Sequence, residues 1–192
     1  MKKFLYIILL FTCTINILAQ EYYYYYDKGK INLSIDSTTI VMIFNDKSNF
    51  KNRESNFILN KEIKEYNVSD GMEDANFARL KFNHPINNIL EELKKYQIYD
   101  IDLETYSYGF ITKNNNEIWA TNEIIIYPIN NMIEENIIKL LNEYKAVYYD
   151  KDKYGTYFFK VTNSYIAFNL AAKLVEQGLV EYAEPVFKTN IK

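Results

Sequence analysis

The sequence predicts an α+β protein made of two small domains, and two observations support this fold class. Residues 21–118 alternate apolar and polar side chains over several short segments around one helical pattern. Residues 119–192 read as strand, helix, strand, strand, helix, strand. Right-handed crossovers would place both helices of this second part on one face of an antiparallel sheet, which predicts a ferredoxin-like βαββαβ unit.

The first twenty residues have the pattern of a secretory signal peptide, so we expect residues 1–20 to lie outside both domains. Lys2 and Lys3 precede an apolar run at 4–11, and cleavage is expected after Ala19 or Gln20. A membrane-spanning helix needs about 20 apolar residues, and polar residues from position 12 onward interrupt this run. The predicted organisation is therefore a signal at 1–20, an N-terminal domain at 21–118 and a C-terminal domain at 119–192.

Cys13 and the charge balance limit the chemistry of the mature chain. A lipid-modified cysteine needs small residues just before it, and here Phe11 and Thr12 precede Cys13. Once the signal is removed, neither a disulfide nor a thiol nucleophile remains. Loss of Lys2 and Lys3 takes the formal charge from −3 to −5, which is no footprint for nucleic acid or an anionic membrane. We expect a secreted or periplasmic protein that is monomeric when free.

The N-terminal domain is predicted to contain strands at 30–36, 39–44, 77–82, 101–110 and 117–121. Residues 45–75 are polar and irregular, with the clearest turn at 70–74. Pro85 opens a predicted helix. Its apolar residues recur at helical spacing: Ile86, Ile89, Leu90 and Leu93.

The C-terminal domain is predicted from two helical patterns between apolar strands. Asn131 and Glu134 resemble a capping box, and the helix after them has the apolar stripe Ile133, Ile137, Leu140, Leu141 and Tyr144. Another helix begins near Ser164, buries Ala167, Leu170, Ala171 and Leu174, and ends where Gly178 can adopt the left-handed conformation. Strands are predicted at 124–127, 146–149, 157–161 and 180–187.

The aromatic content is high, with 19 Tyr and 12 Phe, and residues 22–26 are an unbroken tyrosine run. Tyrosines that present an apolar face and a polar tip could bind carbohydrate or peptide. Aromatic residues are also favoured on both faces of β-strands. We favour the strand interpretation.

The residues predict no enzyme, cofactor or metal. His84 is the chain's single histidine and stands just before Pro85, where a structural role at a helix start is favoured. A serine-protease triad would also need a nucleophile in a small-residue turn, which the sequence lacks. Asp70, Glu73 and Asp74 lack the ligand spacing of a calcium loop, and no glycine-rich phosphate loop occurs. A glycosidase pair of carboxylates stays open, because any two acids can meet in a fold.

Three segments carry a resemblance to a known family: residues 121–126, 169–171 and 178–187. They resemble the propeptide of subtilisin-like serine proteases, and the whole chain is similar to the two-part, fervidolysin-like prodomain of secreted bacterial subtilases. The resemblance implies that an open sheet face packs on two parallel helices of the protease, whose N-termini an acidic side chain caps. It also implies that the C-terminal tail lies in the active-site cleft. No protease domain follows here, so we expect a stand-alone propeptide-like protein.

The resemblance also implies which residues contact the protease. Glu184 matches the capping position, where helix amides and the helix dipole favour a negative charge. The second capping position, usually Asn or Asp, is Val186. The tail would extend through Phe187, Lys188, Thr189, Asn190, Ile191 and Lys192, and add as a strand to the cleft edges. The alternative for 188–192 is a frayed terminus.

Three hypotheses about function follow. The leading one is a secreted protein that binds a subtilisin-like serine protease in trans, as inhibitor, folding chaperone or both. The second is a secreted or envelope binding module that retains the propeptide fold without a protease partner and uses its tyrosines on another ligand. The third is the N-terminal remnant of a subtilase precursor.

Overall fold

The computed structural model describes residues 22–26, 29–44, 61–68, 77–97, 103–130 and 132–188. These residues form nine strands: β1 (Tyr22–Tyr26), β2 (Gly29–Phe44), β3 (Ile63–Val68), β4 (Phe77–Phe82), β5 (Leu103–Thr112), β6 (Glu117–Pro128), β7 (Val147–Lys151), β8 (Tyr157–Lys160) and β9 (Val180–Lys188). They also form the helices α1 (Ile89–Lys95), α2 (Glu135–Glu143) and α3 (Ser164–Glu176). Within the described residues, no helix combines the length and apolarity needed to cross a bilayer.

The strands join into one nine-stranded sheet with the order β3-β4-β2-β5-β6-β8-β7, to which β1 adds at β2 and β9 adds at β6. Every pairing between these strands is antiparallel. The predicted α+β class with an antiparallel sheet is therefore confirmed. The predicted signal at 1–20, Cys13 and the turn predicted at 70–74 lie outside the described residues.

Strand β6 runs through the predicted domain boundary at 118/119. Residues at its start pair with β5, as Phe110 with Ile118, whereas its later residues pair with β8 and β9, as Ile124 with Phe159 and Pro185. The sequence predicted two separate strands here. Because a bulge between Ala120 and Ile124 takes up the change of partner, one strand serves both halves of the molecule.

In the C-terminal half, β9, β6, β8 and β7 lie side by side in that order. Helices α2 and α3 pack on the same sheet face, since their apolar stripes share one core with alternate residues of β6, β8 and β9. That core contains Ile124, Ile126, Ile137, Leu140, Leu141, Phe159, Val161, Ala167, Leu170, Ala171, Leu174, Val180 and Ala183. The predicted helix stripes are confirmed.

The ends of α3 are set by two local signals. The side chain of Asn163 accepts a hydrogen bond from the Ile166 amide at 3.0 Å and caps the helix start. Gly178 has φ +64°, as predicted, and Leu179 N donates to Leu174 O at 3.1 Å. This hydrogen-bond pattern closes the helix and turns the chain into β9.

The start of α2 differs from the predicted capping box. Asn131 lies outside the described residues, and the cap position is Glu134, whose side chain makes no capping bond. Instead, its Oε1 accepts from Asn130 Nδ2 at 3.0 Å. The helix is therefore held by its buried stripe and not by a capping box.

In the N-terminal half, β2 is a single sixteen-residue strand where the sequence predicted two. Residues 37–39 bulge out between two stretches that both pair with β5. Asp36 holds the bulge because its carboxylate accepts from Thr38 N, Thr38 Oγ1 and Thr39 Oγ1 at 3.0, 2.6 and 2.7 Å. On β5, Gly109 leaves room for it, since a Cβ there would lie 2.9 Å from Thr39 Cγ2.

Helix α1 begins at Ile89, four residues after the predicted start at Pro85. Ile86 N donates to Ser37 O of β2 at 2.8 Å, so the segment directly after Pro85 is hydrogen-bonded to β2 and is not helical. Asn88 then caps the helix by accepting from Glu91 N at 3.3 Å. Ile86 is still buried, together with Ile89 and Leu93, against β2 and β4.

Residues 63–68 form the edge strand β3, although the sequence predicted irregular structure throughout 45–75. The strand pairs with β4. Its exposed residues Lys64 and Glu65 give no apolar alternation, which is common for edge strands. Strand β4 has the predicted bounds of 77–82.

The tyrosine run forms β1, in agreement with the strand interpretation. Tyr22 is buried and contacts Phe110 of β5 and Phe168 of α3, with ring centroids 5.5 and 6.3 Å apart. On the other side of β1, Tyr23 and Tyr25 donate to Glu176 Oε1 at 2.7 and 3.2 Å. The tyrosines of β1 therefore attach the first strand of the chain to the last helix.

Candidate functional site: the open sheet face

The face of the C-terminal sheet opposite α2 and α3, here called the open face, is the candidate site. Side chains alternate along a strand, so residues between those in the helix-covered core point to this face. The strand register brings them together as cross-strand neighbours: Glu123, Ile125 and Tyr127 on β6, Phe158 and Lys160 on β8, and Tyr182 and Glu184 on β9. Each is neither fully buried nor fully exposed.

Glu184 lies at the centre of β9, opposite Ile125. Burial raises the pKa of this carboxyl above its ordinary value, and a hydrogen bond from Tyr182 opposes the rise. Among the described residues, no Lys or Arg forms an ion pair with Glu184. The open face thus holds a partly desolvated carboxylate that forms no ion pair with a cation of the described residues. Such a group is destabilising until a partner supplies donors or positive charge.

Tyr182 and Tyr24 border this carboxylate. Burial raises the pKa of Tyr182, and the hydrogen bond to Glu184 and the carboxylate charge raise it further. Burial, followed by the charge of Glu184, also raises the pKa of Tyr24. Both hydroxyls therefore stay protonated at neutral pH, and the Tyr182 hydroxyl donates a hydrogen bond to the carboxylate.

A second carboxylate of the open face, Glu123, has a tyrosine partner on β7. Tyr149 lies across the bulge of β7 with its ring 6.0 Å from that of Phe158. Burial raises the pKa of Tyr149, and the charge of Glu123 and a hydrogen bond to it add to the rise. The same arrangement, a carboxylate with a tyrosine hydroxyl, therefore occurs twice, within β9 and between β6 and β7.

A polar border separates the open face from the N-terminal half. Lys160 Nζ lies 3.2 Å from Glu104 Oε1, which also accepts from Asn122 Nδ2 at 2.9 Å. Lys160 is thus engaged at the border and does not form an ion pair with Glu184. Thr121 Oγ1 donates to Val186 O at 3.2 Å, which fixes β9 at the bulge of β6.

The structure brings together only part of the predicted protease-binding segment. Glu184 and Val186 lie on β9, but Phe187 packs against Tyr24 of β1 and Phe168 of α3, with ring centroids 4.9 and 6.0 Å apart. Phe187 therefore belongs to the core between β1 and α3 and not to an extended tail. The backbone of Lys188 still pairs with Trp119. Thr189, Asn190, Ile191 and Lys192 lie outside the described residues.

Sequence reasoning missed Tyr182, Glu123 and Tyr149 as members of the site. The signal for Tyr182 was available, because a residue two positions before Glu184 on one strand points to the same face. Glu123 and Tyr149 needed the register between β6, β8 and β7, which a bulge shifts at Tyr148/Asp150. Such pairings cannot be read from one sequence.

A shallow depression between the two halves, lined in part by Val41, Ser107, Thr121 and Ser164, encloses about 150 Å³ even when the solvent at its mouth is included. Pockets for small organic ligands begin at roughly 300 Å³. This space is therefore too small for such a ligand. The open face, by contrast, carries carboxylates, a lysine and aromatic rings on three neighbouring strands.

No protein-family model and no curated protein matches the chain. Among solved structures, the small subunit of acetolactate synthase from Thermotoga maritima is similar over 80% of this chain and 98% of that chain, at 12% sequence identity and a TM-score of 0.29. At this TM-score the similarity carries no conclusion about the fold or function of the present protein.

Proposed function

We propose that this protein is a secreted or periplasmic, propeptide-like binder of a subtilisin-like serine protease, acting in trans as inhibitor, folding chaperone or both. In this proposal the C-terminal half is a ferredoxin-like domain, the N-terminal half is a second small domain, and the open face docks on the protease. The proposal joins the resemblance of residues 121–126, 169–171 and 178–187 to the geometry of the open face.

The observation that carries the proposal is that Glu184 is half-buried and forms no ion pair with a described residue. A half-buried carboxylate without a cation gains most from a partner that offers unsatisfied N–H donors, and the N-terminus of a helix offers them together with a favourable dipole. Two features support the same docking mode. Both helices lie on the opposite sheet face, and β9 runs through residues 180–188 directly toward the tail.

The docking proposal differs from the resemblance at two positions. Val186 offers no side-chain acceptor for a second helix, so Glu184 alone supplies the cap on β9. Because Phe187 is packed against Tyr24 and Phe168, the segment that enters the protease cleft is limited to residues after β9, from Thr189 to Lys192.

Inhibition of a subtilisin-type protease tests the proposal. The purified protein is titrated into the protease while hydrolysis of a small peptide substrate is followed, and Glu184→Gln is compared with Glu181→Gln. Glu181 is exposed on the same strand, beside the bulge at which the pairing with β6 shifts between Tyr127 and Pro128, so the second variant makes the same charge change at an exposed position near the start of β9. We expect the Kd to rise about tenfold or more for Glu184→Gln, which is the loss of a charge-assisted hydrogen bond, and to stay unchanged for Glu181→Gln.

Two results would contradict the proposal. One is the absence of inhibition with several subtilisin-type proteases. The other is equal inhibition by both variants, which would mean that the open face is not the docking surface. A version of the protein without residues 189–192 separates the tail from the face, because it should lose inhibition but keep binding.

The hairpin of β7 and β8 favours a second candidate function. Large apolar side chains are exposed there, with Tyr148, Tyr149 and Tyr154 at 54%, 44% and 70% exposure. Such a patch suits a binding module that uses its tyrosines on a ligand other than a protease. Binding that Tyr154→Ala abolishes and Glu184→Gln leaves intact would favour this candidate.

A further inference from the structure

Three side chains with metal-binding atoms meet at one edge of the N-terminal half. Glu62 lies in the turn before β3, His84 lies two residues after β4, and Glu92 lies in α1. Their ligand atoms all fall within 4.8 Å of one another. An imidazole and two carboxylates from three different elements thus converge on one point.

The backbone around this cluster is held in place by hydrogen bonds and core packing. Asn83 N donates to Glu62 O at 3.0 Å, and Asn83 Nδ2 donates to Lys61 O at 3.1 Å. The His84 ring meets the ring of Phe82 edge-on at 5.9 Å, and Phe82 is buried. The turn before β3 and the segment after β4 are therefore joined by hydrogen bonds, which position ligands as a metal site requires.

The spacing between His84 and Glu92 suits a shared metal ion. His84 Nε2 lies 3.6 Å from Glu92 Oε1, beyond a normal hydrogen bond. A Zn²⁺ ion bound to nitrogen and oxygen at its usual distances separates two ligand atoms by about 3.4 Å at the tetrahedral angle. The observed pair is close to this separation.

A cation already lies against both carboxylates. Lys95 Nζ is 2.9 Å from Glu62 Oε2 and 3.5 Å from Glu92 Oε1. The side chains of Lys95 and Glu62 are about half exposed, at 53% and 48%, and exposed ion pairs of this kind are weak. Lys95 is therefore a weak competitor for a divalent ion. The Tyr96 hydroxyl also donates to Glu62 Oε2, and its ring stacks on Phe82.

We propose that Glu62, His84 and Glu92 bind a divalent transition metal, Zn²⁺ first among them, which displaces Lys95 from the two carboxylates. The imidazole nitrogen favours Zn²⁺ over Ca²⁺ and Mg²⁺, which prefer all-oxygen sites. Three protein ligands leave a fourth position for water. Tyr96 supports the site from the second shell of ligands by orienting the Glu62 carboxylate. The site lies outside the open face and is independent of the protease proposal.

Zinc titration of the protein tests this inference directly, because His84 is the chain's one histidine. The purified protein, without a polyhistidine tag, is titrated with ZnCl₂ while the imidazole C–H resonances are followed by NMR. We expect a saturable shift with one ion per chain and a rise in Tm. His84→Gln and Glu92→Gln should weaken binding about tenfold or more, whereas Glu91→Gln, an exposed carboxylate on the same helix, should not.

A variant that should bind the metal more tightly provides a second test, because a misfolded protein could not show this result. Lys95→Gln removes the competing cation, so this variant should bind Zn²⁺ several-fold more tightly. Lys139→Gln makes the same charge change at an exposed position of α2 and should bind Zn²⁺ with the affinity of the original protein. The proposal is overturned if the His84 resonances do not move in excess metal, or if His84→Gln retains the full Tm shift. Equal affinity of the Lys95→Gln and Lys139→Gln proteins would show that the metal does not displace Lys95.

Discussion

The two halves of the molecule differ in how their partly buried carboxylates are paired. In the N-terminal half, Asp36, Arg79, Lys81 and Glu117 form an ionic cluster in which each charge has an opposite partner. In the C-terminal half, the hydrogen bond that Glu184 receives from the described side chains comes from the neutral hydroxyl of Tyr182. The directions of the pKa shifts express this difference, since the pKa of Asp36 is lowered and that of Glu184 is raised.

The cause of the difference is the number of donors that each carboxylate receives. Burial raises the pKa of Asp36, but hydrogen bonds from Thr38 and Thr39 and the charge of Lys81 outweigh it. At Glu184 burial dominates, and Tyr182 offsets it only in part. A carboxylate of the first kind stabilises the fold, whereas one of the second kind lowers the stability of the free protein and is useful only if a partner completes it. This contrast separates a structural cluster from a candidate binding site.

The largest expected effect is the loss of Arg79 from the ionic cluster. Its guanidinium lies 2.6 Å from Glu117 and packs over the Trp119 ring at 4.9 Å, and its side chain is 5% exposed. Arg79→Ala should lower the free energy of unfolding by about 2 to 4 kcal/mol, because it removes a buried side chain from its packing against Trp119 and leaves Glu117, whose side chain is 30% exposed, with Lys81 as its ion partner. Chemical denaturation measures this. Lys173→Ala, which breaks the exposed pair with Glu143, is the control and should cost less than about 1 kcal/mol.

Removal of the Asp36 charge should be the next largest effect and should depend on pH. Because the pKa of folded Asp36 lies below its ordinary value of 3.8, its stabilisation is present above that value and disappears as the pH falls through the folded pKa. Asp36→Asn should cost about 1 to 3 kcal/mol at neutral pH. Denaturation at a series of acidic pH values should show the variant and the original protein converging. Parallel curves would mean that Asp36 contributes no charge-dependent stability.

The features that sequence could predict are those with local causes. The start of α3 at Ser164, the left-handed Gly178 and the buried stripes of α2 and α3 follow from helical periodicity and cap residues. The placement of Glu184 on one face of the last strand follows from the alternation of side chains. These signals need only neighbours within about one or two turns.

The remaining features depend on pairing between distant residues. The continuity of β6 depends on a change of partner from β5 to β8 and β9, and the edge strand β3 lacks an apolar alternation. Phe187 was predicted to belong to an extended tail. Its packing against Tyr24 joins β1 and β9, which are far apart in the sequence, and local sequence does not predict such a contact. Glu62, His84 and Glu92 likewise meet only because β3, β4 and α1 lie side by side. None of these contacts can be predicted from the local sequence.

Neutralising Glu184 should have the opposite sign to neutralising Asp36. Since the pKa of folded Glu184 is above its ordinary value of 4.5, folding favours the protonated form below that value, and this advantage is lost as the pH rises through the folded pKa. Glu184→Gln should therefore stabilise the free protein at neutral pH, by less than about 1 kcal/mol. Thermal unfolding with and without a protease partner checks this, because the same variant should bind more weakly. Destabilisation of the free protein would remove the contrast with Asp36.

The smallest expected effect comes from the hydroxyl of Tyr182, and it tests whether the environment of Glu184 is as sparse as the structure indicates. The hydrogen bond from Tyr182 lowers the pKa of Glu184 against the effect of burial, so Tyr182→Phe should raise that pKa further. An NMR titration of the Glu184 carboxyl carbon measures the change.

At neutral pH the variant should lose about 0.5 kcal/mol, the lower end of the usual contribution of one hydrogen bond, because Tyr182 is only half-buried. In a Glu184→Gln background the same change should cost less, because the acceptor then carries no charge, and the difference isolates the coupling between the two side chains. If Tyr182→Phe leaves the titration of Glu184 unchanged, the carboxylate has a donor other than Tyr182. Glu184 would then resemble Asp36, which receives several hydrogen bonds, and a binding partner would stabilise its charge by a smaller amount.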